Sequence, residues 1–321
     1  MCKAARASGV QGCARLGYGW RVDLEELARV RVVLVRSRYG GNVGSAARAM
    51  KNMGLSDLVL VAPRARVGAV GARMAAHAKD LLASRRTVTD LSSAVDDCTL
   101  VVGTTCREGG YRGALRPMRE VAREVAKAAR THRVALVFGP EDHGLDNADL
   151  RLCQRLARIP TSAAYPSLNL AQAVLLSAYE VWLALLEADA REPRHGRRSP
   201  DKRAQLAGGR HAGGRHGGTG EDSLASSRER QELIAHLGEA LDRIGFLSTQ
   251  NPEHILHDVR SLFARAALTS RDVRVWRGIA RQILWAASAA PPATARGVAQ
   301  GEAARVTSRR RGPRATAPSA R

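Results

Sequence analysis

Two stretches decide the fold of this 321-residue chain: residues 136–145 (LVFGPEDHGL) and residues 159–180 (IPTSAAYPSLNLAQAVLLSAYE). The first is an apolar run that ends in a polar, glycine-containing turn. The second begins at a strand end, passes through a polar turn and continues as a long apolar helix. Open α/β sheets bind their ligands at the carboxyl ends of strands, where such turns lie. We therefore expect the chemistry of the protein at these turns.

Working outward, further apolar runs alternate with helical stretches such as residues 42–52, which carry small residues on one face. Continuous apolar strands separated by helices predict a parallel sheet covered by helices on both sides. The helix at 168–186 is apolar on nearly all sides, which predicts burial by the sheet and by a second subunit. The remaining strands are predicted at residues 31–36 (RVVLVR), 57–62 (DLVLVA), 99–103 (TLVVG) and 134–139 (VALVFG).

Composition divides the chain into five segments. Residues 1–27 lack lasting periodicity and are expected to be a disordered extension, followed by an α/β domain at 28–190. Residues 191–227 are rich in glycine and arginine, which is typical of a flexible linker. Helical periodicity then predicts a small all-helical module at 228–290, and a disordered basic tail at 291–321.

The formal net charge of +21 and the sequence pI near 11.2 favour a polyanionic partner, nucleic acid above all. Two thirds of that charge lies in residues 1–31, 191–230 and 291–321, so a compositional bias in unstructured segments is the competing explanation.

The cysteine content and the hydropathy of the chain indicate the cellular compartment to expect. The five cysteines are odd in number and form no CxxC pair, and no secretory segment precedes them, which favours a reducing cytoplasm. Because no apolar run approaches the roughly 20 residues that span a bilayer, we expect a soluble protein without a membrane partner.

The loop at 39–45 (YGGNVGS) follows a strand and opens a helix. Its amides either cradle an anion or form a tight turn, because the spacing fits neither a dinucleotide nor a P-loop fingerprint. Asn42 and Arg48 follow on the helix. Arg48 is either a cation of the same site or a solvated residue of the helix surface.

The turn after residue 139 contains Glu141 and His143. Glu141 is a candidate acid or base, a ligand for an amine, or the cap of a helix at Leu145, and His143 is a weaker candidate base. At the third turn, Ser167 is expected as a helix N-cap and Asn169 as a first-turn residue. In the C-terminal module, Asn251 and Ser270 are expected as caps.

Three motifs in fixed order resemble the SpoU/TrmH branch of the SPOUT RNA methyltransferases. They are Asn42-x-Gly44-x-x-x-Arg48, then Phe138-Gly139-x-Glu141-x-x-Gly144-Leu145, then Ile159-Pro160 followed by Ser167-Leu168-Asn169-Leu170-Ala171-x-Ala173. The resemblance covers about residues 31–187. Residues 42–55, 103–107 (GTTCR) and 251–283 are most similar to the TrmJ-type tRNA 2′-O-methyltransferases of that family.

The resemblance implies a C-terminal trefoil knot threading residues around 137–175, although knots are rare in proteins. It implies S-adenosylmethionine as methyl donor with no metal, and a homodimer formed through the knot region and helix 168–186. The cofactor would be held by Thr104, Thr105, Gly139, Glu141, Ile159, Ser167, Leu168 and Asn169.

The resemblance also implies which residues are catalytic and which contact the RNA. Arg48, Asn42 and Ser167 would be catalytic, with Arg48 orienting the ribose hydroxyl from the partner subunit's side of the dimer. Arg48, Arg107, Arg112 and Arg116 would contact RNA, and the three in the loop after Thr104 otherwise form a solvated basic loop.

The implied substrate is tRNA, at the pyrimidine of position 32 in the anticodon loop. Another tRNA position, ribosomal RNA, or an inactive RNA-binding protein are the alternatives. The chain departs from its relatives at Trp182, where they often carry arginine, and in its long glycine-rich linker and N-terminal extension.

Overall fold

The computed structural model describes residues 13–15, 21–107, 115–191, 223–247 and 252–289. The strands are β1 (Cys13–Arg15), β2 (Arg21–Asp23), β3 (Val30–Val35), β4 (Asp57–Val61), β5 (Arg86–Val88), β6 (Leu100–Thr104), β7 (Arg116–Pro117), β8 (Val134–Phe138) and β9 (Arg155–Arg158). The helices are α1 (Leu24–Ala28), α2 (Gly40–Asn52), α3 (Gly68–Ala75), α4 (Lys79–Ser84), α5 (Leu91–Val95), α6 (Met118–Ala129), α7 (Asn147–Arg151), α8 (Leu170–Arg191), α9 (Ser227–Arg243), α10 (Pro252–Arg265) and α11 (Ser270–Ala289).

A seven-stranded sheet in the order β5-β4-β3-β8-β6-β9-β7 forms the centre of the first domain, and every pairing in it is parallel. The chain runs outward from β3 through β4 to β5 and then returns to build the other half from β6 onward. The order therefore reverses beside β3, which is where open sheets of this kind leave a ligand crevice at the strands' carboxyl ends. The predicted parallel α/β sheet is confirmed.

Helices cover both faces of this sheet because alternate strand residues point to opposite sides. On β3, Val32 and Leu34 face a core shared with α2, α6 and α8, whereas Val33 and Val35 face a second core with α5 and α7. Both layers are buried, which explains why the strands are apolar at nearly every position instead of alternating.

The expectation of a disordered extension at residues 1–27 is wrong for residues 13–15 and 21–27, and β1 pairs with β2. Residues 21–28 form β2 and α1, and Val22 and Leu27 are fully buried against the first core. Asp23 caps α1 by accepting a hydrogen bond from the Glu25 amide. Two widely spaced apolar residues in a short segment gave too little periodicity to signal this docking.

Helix α8 corrects a second expectation. Over Leu170–Asp189 it is long and apolar enough, by length and composition, to cross a membrane, although the sequence was expected to contain no such segment. Val174, Ala178, Val181 and Leu185 are buried in the core shared with α2 and α6. Trp182 is half-buried against the same core.

The C-terminal module consists of α9, α10 and α11 around its own apolar cluster, which includes Leu233, Phe263 and Val273. It docks on the first domain through the start of α9, where the Ser227 amide donates to the Cys98 carbonyl over 2.8 Å. Arg228 pairs with Asp96 at the same contact.

The boundaries and caps of this module differ from expectation. Ala225 is fully buried, and Ser226 and Glu229 form a capping box, so the last residues of the expected 191–227 linker already belong to the module. Thr269, not Ser270, caps α11, because its hydroxyl accepts from the Asp272 amide. Asn251, residues 192–222 and the tail from residue 290 lie outside the described residues.

Candidate active site

The carboxyl ends of β6, β8 and β9 meet the start of α8 around a cavity of about 140 Å³. Seven of the eight residues expected to hold a cofactor line it, and the eighth, Asn169, is bonded to the α2 side of the site. The full lining is Thr104, Thr105, Cys106, Arg107, Phe138, Gly139, Pro140, Glu141, Asp142, His143, Gly144, Ala157, Ile159, Pro166, Ser167, Leu168, Leu170 and Ala173.

A chain of side-chain hydrogen bonds joins the three sequence motifs beside this cavity. The Asn42 Nδ2 donates to Glu141 Oε1 over 2.8 Å, and the Asn169 Nδ2 donates to Asn42 Oδ1 over 3.1 Å. Asn42 thus uses both ends of its amide, as a donor to the second motif and an acceptor from the third. Residues 42, 141 and 169 are far apart in the chain, so the fold alone creates this contact.

The turn after β8 closes so tightly that it admits no side chain at its first position. A Cβ on Gly139 would lie 2.3 Å from the Gly144 carbonyl carbon and the Leu145 amide nitrogen. Gly144 itself has φ +71°, which favours glycine. Its amide donates to the Pro140 carbonyl over 2.9 Å. These two glycines place Glu141 and the intervening backbone at the cavity wall.

Residues just after β3 hold this turn from the other side. The Arg36 guanidinium pairs with Asp149 over 2.5 Å and with Asp146 over 3.0 Å, although Arg36 has an unfavourable φ of +49°. The hydrogen bond to Asp149 raises the pKa of Arg36. Asp146 and Asp149 also form the capping box of α7.

Arg38 continues the same support. Its amide donates to Glu141 Oε2 over 3.1 Å, and its side chain pairs with Asp142. Although desolvation opposes the shift, this pairing holds the pKa of Asp142 below its usual value. Both carboxylate oxygens of Glu141 therefore accept hydrogen bonds, Oε1 from the Asn42 side chain and Oε2 from the Arg38 amide.

Several open alternatives from the sequence are now decided. Glu141 does not cap a helix, since α7 begins at Asn147 with Asp146 as its cap. Ser167 is not the cap of α8, because Asn169 Oδ1 accepts from the Ala171 amide over 2.9 Å at the helix start. His143 lies in the cavity wall, with Nδ1 2.6 Å from Asp142 Oδ1.

The glycines of the loop at 39–45 have a packing role. A Cβ on Gly44 would lie 2.0 Å from the Gly71 carbonyl oxygen, and one on Gly40 would lie 2.5 Å from the Arg66 carbonyl oxygen. These glycines let α2 pack closely against residues 66–71, which include the start of α3. The close packing accounts for Gly40 and Gly44, and the anion-cradle interpretation of the loop amides stays a prediction.

The expected RNA-binding arginines do not gather in one place. Arg48 is exposed on α2, outside the cavity lining, with no ion pair or hydrogen bond to any described residue. Arg107 lies in the cavity wall, whereas Arg116 begins β7 and pairs with Glu120 and Glu124. Arg112 lies outside the described residues. Their RNA-binding roles stay predictions.

Sequence reasoning missed the contribution of Arg36, Arg38, Phe138 and Cys106 to this site. Two arginines directly after a buried strand, facing an acidic turn such as 141–149, were the available signal. Phe138 ends β8 and Cys106 follows Thr105, so both belong to strand ends that were already assigned to the site.

The site has the composition of a binding cleft. The walls combine apolar side chains (Ile159, Leu168, Leu170) with turn backbone at Gly139, an arrangement that orients a ligand with apolar and polar parts.

Comparison with known proteins assigns the two domains separately. Residues 29–179 match the SpoU rRNA Methylase family, and residues 228–293 match the C-terminal domain of the tRNA methyltransferase TrmJ. The tRNA (cytidine/uridine/adenosine-2′-O-)-methyltransferase TrmJ of Pseudomonas aeruginosa is 36% identical over 254 residues, which cover 79% of this chain and 93% of that protein. The tRNA (cytidine/uridine-2′-O-)-methyltransferase TrmJ of Pectobacterium atrosepticum is 34% identical, covering 79% and 95%.

Solved structures agree with the sequence matches. The crystal structure of TrmJ from Z. mobilis ZM4 superposes with a TM-score of 0.62 at 28% identity, covering 79% of this chain and 98% of that one. A probable methylase family protein from Haemophilus influenzae superposes with a TM-score of 0.50 at 29% identity, covering 80% and 97%. With both domains matched in order, the chain belongs to the SpoU family of RNA methyltransferases and, within it, to the TrmJ group of tRNA 2′-O-methyltransferases.

Proposed function

We propose that this enzyme transfers a methyl group from S-adenosylmethionine to the ribose 2′-hydroxyl of the pyrimidine at position 32 in the tRNA anticodon loop. The observation that carries the proposal is the hydrogen-bonded chain from Glu141 through Asn42 to Asn169 beside the cavity. It ties together all three motifs that the family shares. The match to TrmJ relatives over both domains supports tRNA as the substrate.

The residues that line the cavity suit the methyl donor. The turn backbone at Gly139 can meet a polar ligand group, and Ile159 and Leu168 offer apolar surface to a flat ring. Thr104 is fixed by its hydroxyl bond to the Val137 carbonyl over 3.0 Å, so the β6 end is rigid. We assign the adenosine and methionine parts to Thr104, Thr105, Gly139, Ile159, Ser167 and Leu168.

S-adenosylmethionine supplies an electrophilic methyl group on a positively charged sulfur, so the chain itself must supply alignment. Glu141, Asn42 and Asn169 act by positioning, because their hydrogen bonds fix the turn after β8 against the starts of α2 and α8. Holding two reactants in line can lower a barrier by several kcal/mol without acid or metal assistance.

Arg48 is assigned to the RNA. Its guanidinium is exposed and has no partner among the described residues, so it is available to a phosphate or to the ribose hydroxyl. A cation near that hydroxyl favours the oxyanion that develops as the methyl is transferred. Since Arg48 does not line the cavity of its own chain, we propose that it serves the cavity of a second copy.

The homodimer is proposed to form on α8. Leu175, Leu176 and Tyr179 are exposed apolar residues on this helix. A second copy would cover this apolar stripe, and α8 packs beside α2, which carries Arg48. Sedimentation velocity tests the proposal: Leu176→Glu should convert a dimer to a monomer, whereas a wild-type monomer would contradict it.

The trefoil knot is likewise a proposal. It is supported by the path of the chain, because β9 lies beyond β6 in the sheet, yet the following segment returns past the end of β8 to reach Asn42 at Asn169. The proposed knot involves residues of about 137–175, which also form much of the cavity wall. We further propose that the enzyme works in the reducing cytoplasm and needs no metal.

The test of the function is site-resolved mapping of methylated tRNA. Purified enzyme, unmodified tRNA and the methyl donor should give 2′-O-methylation at position 32, read by ribose-methylation sequencing. Methylation of another tRNA position or preferential activity on ribosomal RNA would contradict the proposed target. Methylation confined to bases would contradict the reaction itself.

Two further measurements separate catalysis from simple RNA binding. Calorimetry with S-adenosylmethionine should show one site per chain, and no binding would favour an inactive RNA-binding protein. Deleting residues 228–290 should weaken tRNA binding more than cofactor binding. Unchanged tRNA affinity after the deletion would leave the module a structural role.

A further inference from the structure

Three apolar side chains are exposed together around the start of α2. Tyr39, Val70 and Met74 are 61%, 54% and 46% exposed, respectively. A Cβ on Gly41 would lie 3.4 Å from Val70 Cγ1 and 3.8 Å from Met74 Cγ, so both side chains lie over the first turn of α2. Tyr39 directly precedes that helix. Exposed apolar side chains that cluster in this way mark an interaction surface.

This apolar cluster adjoins the candidate active site. The Arg38 amide donates to Glu141 Oε2 over 3.1 Å, and Asn42 Nδ2 donates to Glu141 Oε1 over 2.8 Å. Tyr39 lies between Arg38 and Asn42 in the chain, and Glu141 lines the cavity at the carboxyl ends of β6, β8 and β9. The exposed cluster and the cavity therefore lie side by side at the same edge of the sheet.

The segment that follows β4 adds positive charge to this surface. Arg64, Arg66 and Arg73 are exposed, and their side chains form no hydrogen bond or ion pair with any residue that the structure describes. Residues 58–79 contain no aspartate or glutamate. The charges of these three arginines are therefore not neutralised by neighbouring acids.

Exposed arginines elsewhere on the same domain are neutralised. Arg86 pairs with Asp57, Arg119 with Glu180 and Arg133 with Asp97, in a list that includes both the amino end of the sheet and its helical cover. The excess positive charge is thus a property of the segment beside α2, and it attracts a negatively charged partner to that place.

Backbone contacts fix the arginine segment against the loop after β3. The Arg64 amide donates to the Ser37 carbonyl over 3.0 Å, and a Cβ on Gly40 would lie 2.5 Å from the Arg66 carbonyl oxygen. The arginines are therefore carried on backbone that is held next to the apolar cluster. Together the six residues form one surface, the α2/α3 surface: Tyr39, Arg64, Arg66, Val70, Arg73 and Met74.

Unpaired RNA nucleotides match both parts of the α2/α3 surface. Their bases have flat faces that stack on a tyrosine ring and contact a polarisable methionine, and their phosphates pair with arginine. In a duplex the base faces are already stacked on one another, so double-stranded RNA would leave the apolar cluster uncovered. The surface therefore suits a loop better than a stem.

We propose that the α2/α3 surface binds unpaired nucleotides of the substrate RNA next to the ribose that enters the cavity. One base stacks on Tyr39 and contacts Val70 and Met74, while the three arginines contact the phosphates. The inference rests on the proposed function, because it takes an RNA loop as the substrate. It does not depend on which position of the loop is methylated.

The first test measures the stacking on Tyr39. Full-length protein is titrated into a fluorescein-labelled RNA stem-loop with the sequence of a tRNA anticodon arm, or into a blunt RNA duplex of equal length, and binding is read by fluorescence anisotropy. Tyr39→Ala should weaken stem-loop binding by about 5–100-fold and leave duplex binding nearly unchanged. Tyr39→Phe keeps the ring and should bind the stem-loop within about twofold of wild type.

Two results of that titration would overturn the stacking role. One is wild-type affinity of Tyr39→Ala for the stem-loop. The other is an equal loss of affinity for the stem-loop and the duplex, because Tyr39 would then not distinguish unpaired bases from paired ones.

The second test measures the phosphate contacts by salt dependence. Arg64→Gln, Arg66→Gln and Arg73→Gln should each reduce the slope of log K against log salt concentration by about 0.7, since one contact to a single strand is lost. Arg86→Gln removes the same charge at the amino end of the sheet and should leave the slope unchanged. Equal reductions in all four variants would show a net-charge effect only and would overturn the assignment.

A second copy of this chain is the competing occupant of the surface. Val70→Glu should weaken stem-loop binding and leave the sedimentation coefficient of the free protein unchanged. Conversion of a wild-type dimer to a monomer by Val70→Glu would show that a subunit covers the surface and would overturn the proposal. Because none of the six residues lines the cavity, calorimetry with S-adenosylmethionine should give wild-type affinity in every variant, which checks that the site is folded.

The outcomes also separate this inference from the proposed function. If the wild-type enzyme methylates position 32 while Tyr39→Ala binds the stem-loop normally, the α2/α3 surface is wrong and the function stands. If stem-loop binding depends on Tyr39 but the enzyme methylates another position, the surface stands and the proposed target is wrong.

Discussion

Strand β3 has an arginine at each end, and the two arginines lie in opposite kinds of surroundings. Arg31, at the amino end, is fully buried and donates to Asp57, Asp97 and the Ala94 carbonyl over 2.5–2.7 Å. Arg36, just past the carboxyl end, is partly exposed and has φ +49°. Both arginines form ion pairs. Only Arg36 is connected with a cavity, because it supports the turn after β8 that forms part of the cavity wall.

The polar side chains at the two ends of the sheet therefore have different roles. At the amino end, Arg31 and its acidic partners are paired with one another and stabilise the domain. At the carboxyl end, the tight glycine turn after β8 and the hydrogen-bonded side chains of Glu141, Asn42 and Asn169 border a cavity. Strain and exposed charge at the carboxyl end are expected of a site that must admit a ligand.

The largest expected effect is on turnover. Arg48→Ala should lower the methylation rate by about 10²–10³-fold, because a group that stabilises the developing oxyanion is lost. Cofactor affinity by calorimetry should stay nearly unchanged, since Arg48 does not line the cavity. Arg86→Ala, at the amino end of the sheet, is the control, and a normal rate in Arg48→Ala would remove Arg48 from the mechanism.

Gly139→Ala should disable the carboxyl end selectively. The added Cβ would meet backbone at 2.3 Å, so the turn must move, at a cost of roughly 1–3 kcal/mol in unfolding free energy and with loss of cofactor binding. Gly278→Ala on α11, where nothing lies within 4 Å of the new Cβ, should instead be neutral or add about 0.5–1 kcal/mol. Urea unfolding and calorimetry compare them, and equal effects would contradict the geometry.

At the amino end of the sheet, lowering the pH should show how much the charge of Asp97 contributes to the free energy of unfolding. Desolvation opposes the shift, yet hydrogen bonds from Arg31 and Arg133 hold the pKa of Asp97 well below its usual value. The stability that it contributes is present above the unfolded pKa of about 3.9 and is lost as pH falls through that value toward the folded one.

Asp97→Asn should therefore cost about 1–2 kcal/mol at pH 7, reduced by solvent screening because the Asp97 side chain is 39% exposed. Urea midpoints measured from pH 7 to pH 3 should converge for wild type and variant as the pH falls. A constant difference across that range would show that the charge of Asp97 does not matter.

The smallest effect concerns thiol chemistry. Burial raises the pKa of Cys98 to about 12, so Cys98 should resist iodoacetamide at pH 8. Cys106, in the wall of the cavity at the carboxyl ends of β6, β8 and β9, should react. Bound S-adenosylmethionine should protect Cys106. Peptide mass mapping measures both, and rapid labelling of Cys98 in the folded protein would contradict its burial.

The sequence predicted more of the sheet domain than of its junctions. The apolar runs placed β3, β4, β6 and β8 within one or two residues, because strands buried on both faces need continuous apolar sequence. It missed β2 and α1, where Val22 and Leu27 dock without any periodic pattern. It also assigned the α8 cap to Ser167 and not to Asn169, since both residue types can cap a helix.

For the site, the three motifs supplied the residue types but not their contacts. Nothing in the sequence indicated that Asn42 would bond both Glu141 and Asn169, or that Arg36 and Arg38 would hold the turn between them. The cavity between the two domains was equally unpredictable, because its walls come from residues 147–156 and from α9 and α10, which are remote in the chain.

By itself, the sequence determined the main strands of the sheet, their parallel character and the family, because these depend on local apolar patterning and on short motifs. Only the tertiary structure decided which polar groups share a site and how the C-terminal module docks on the first domain. Those outcomes depend on distances between residues remote in the chain, and such distances are set by the packing of whole elements.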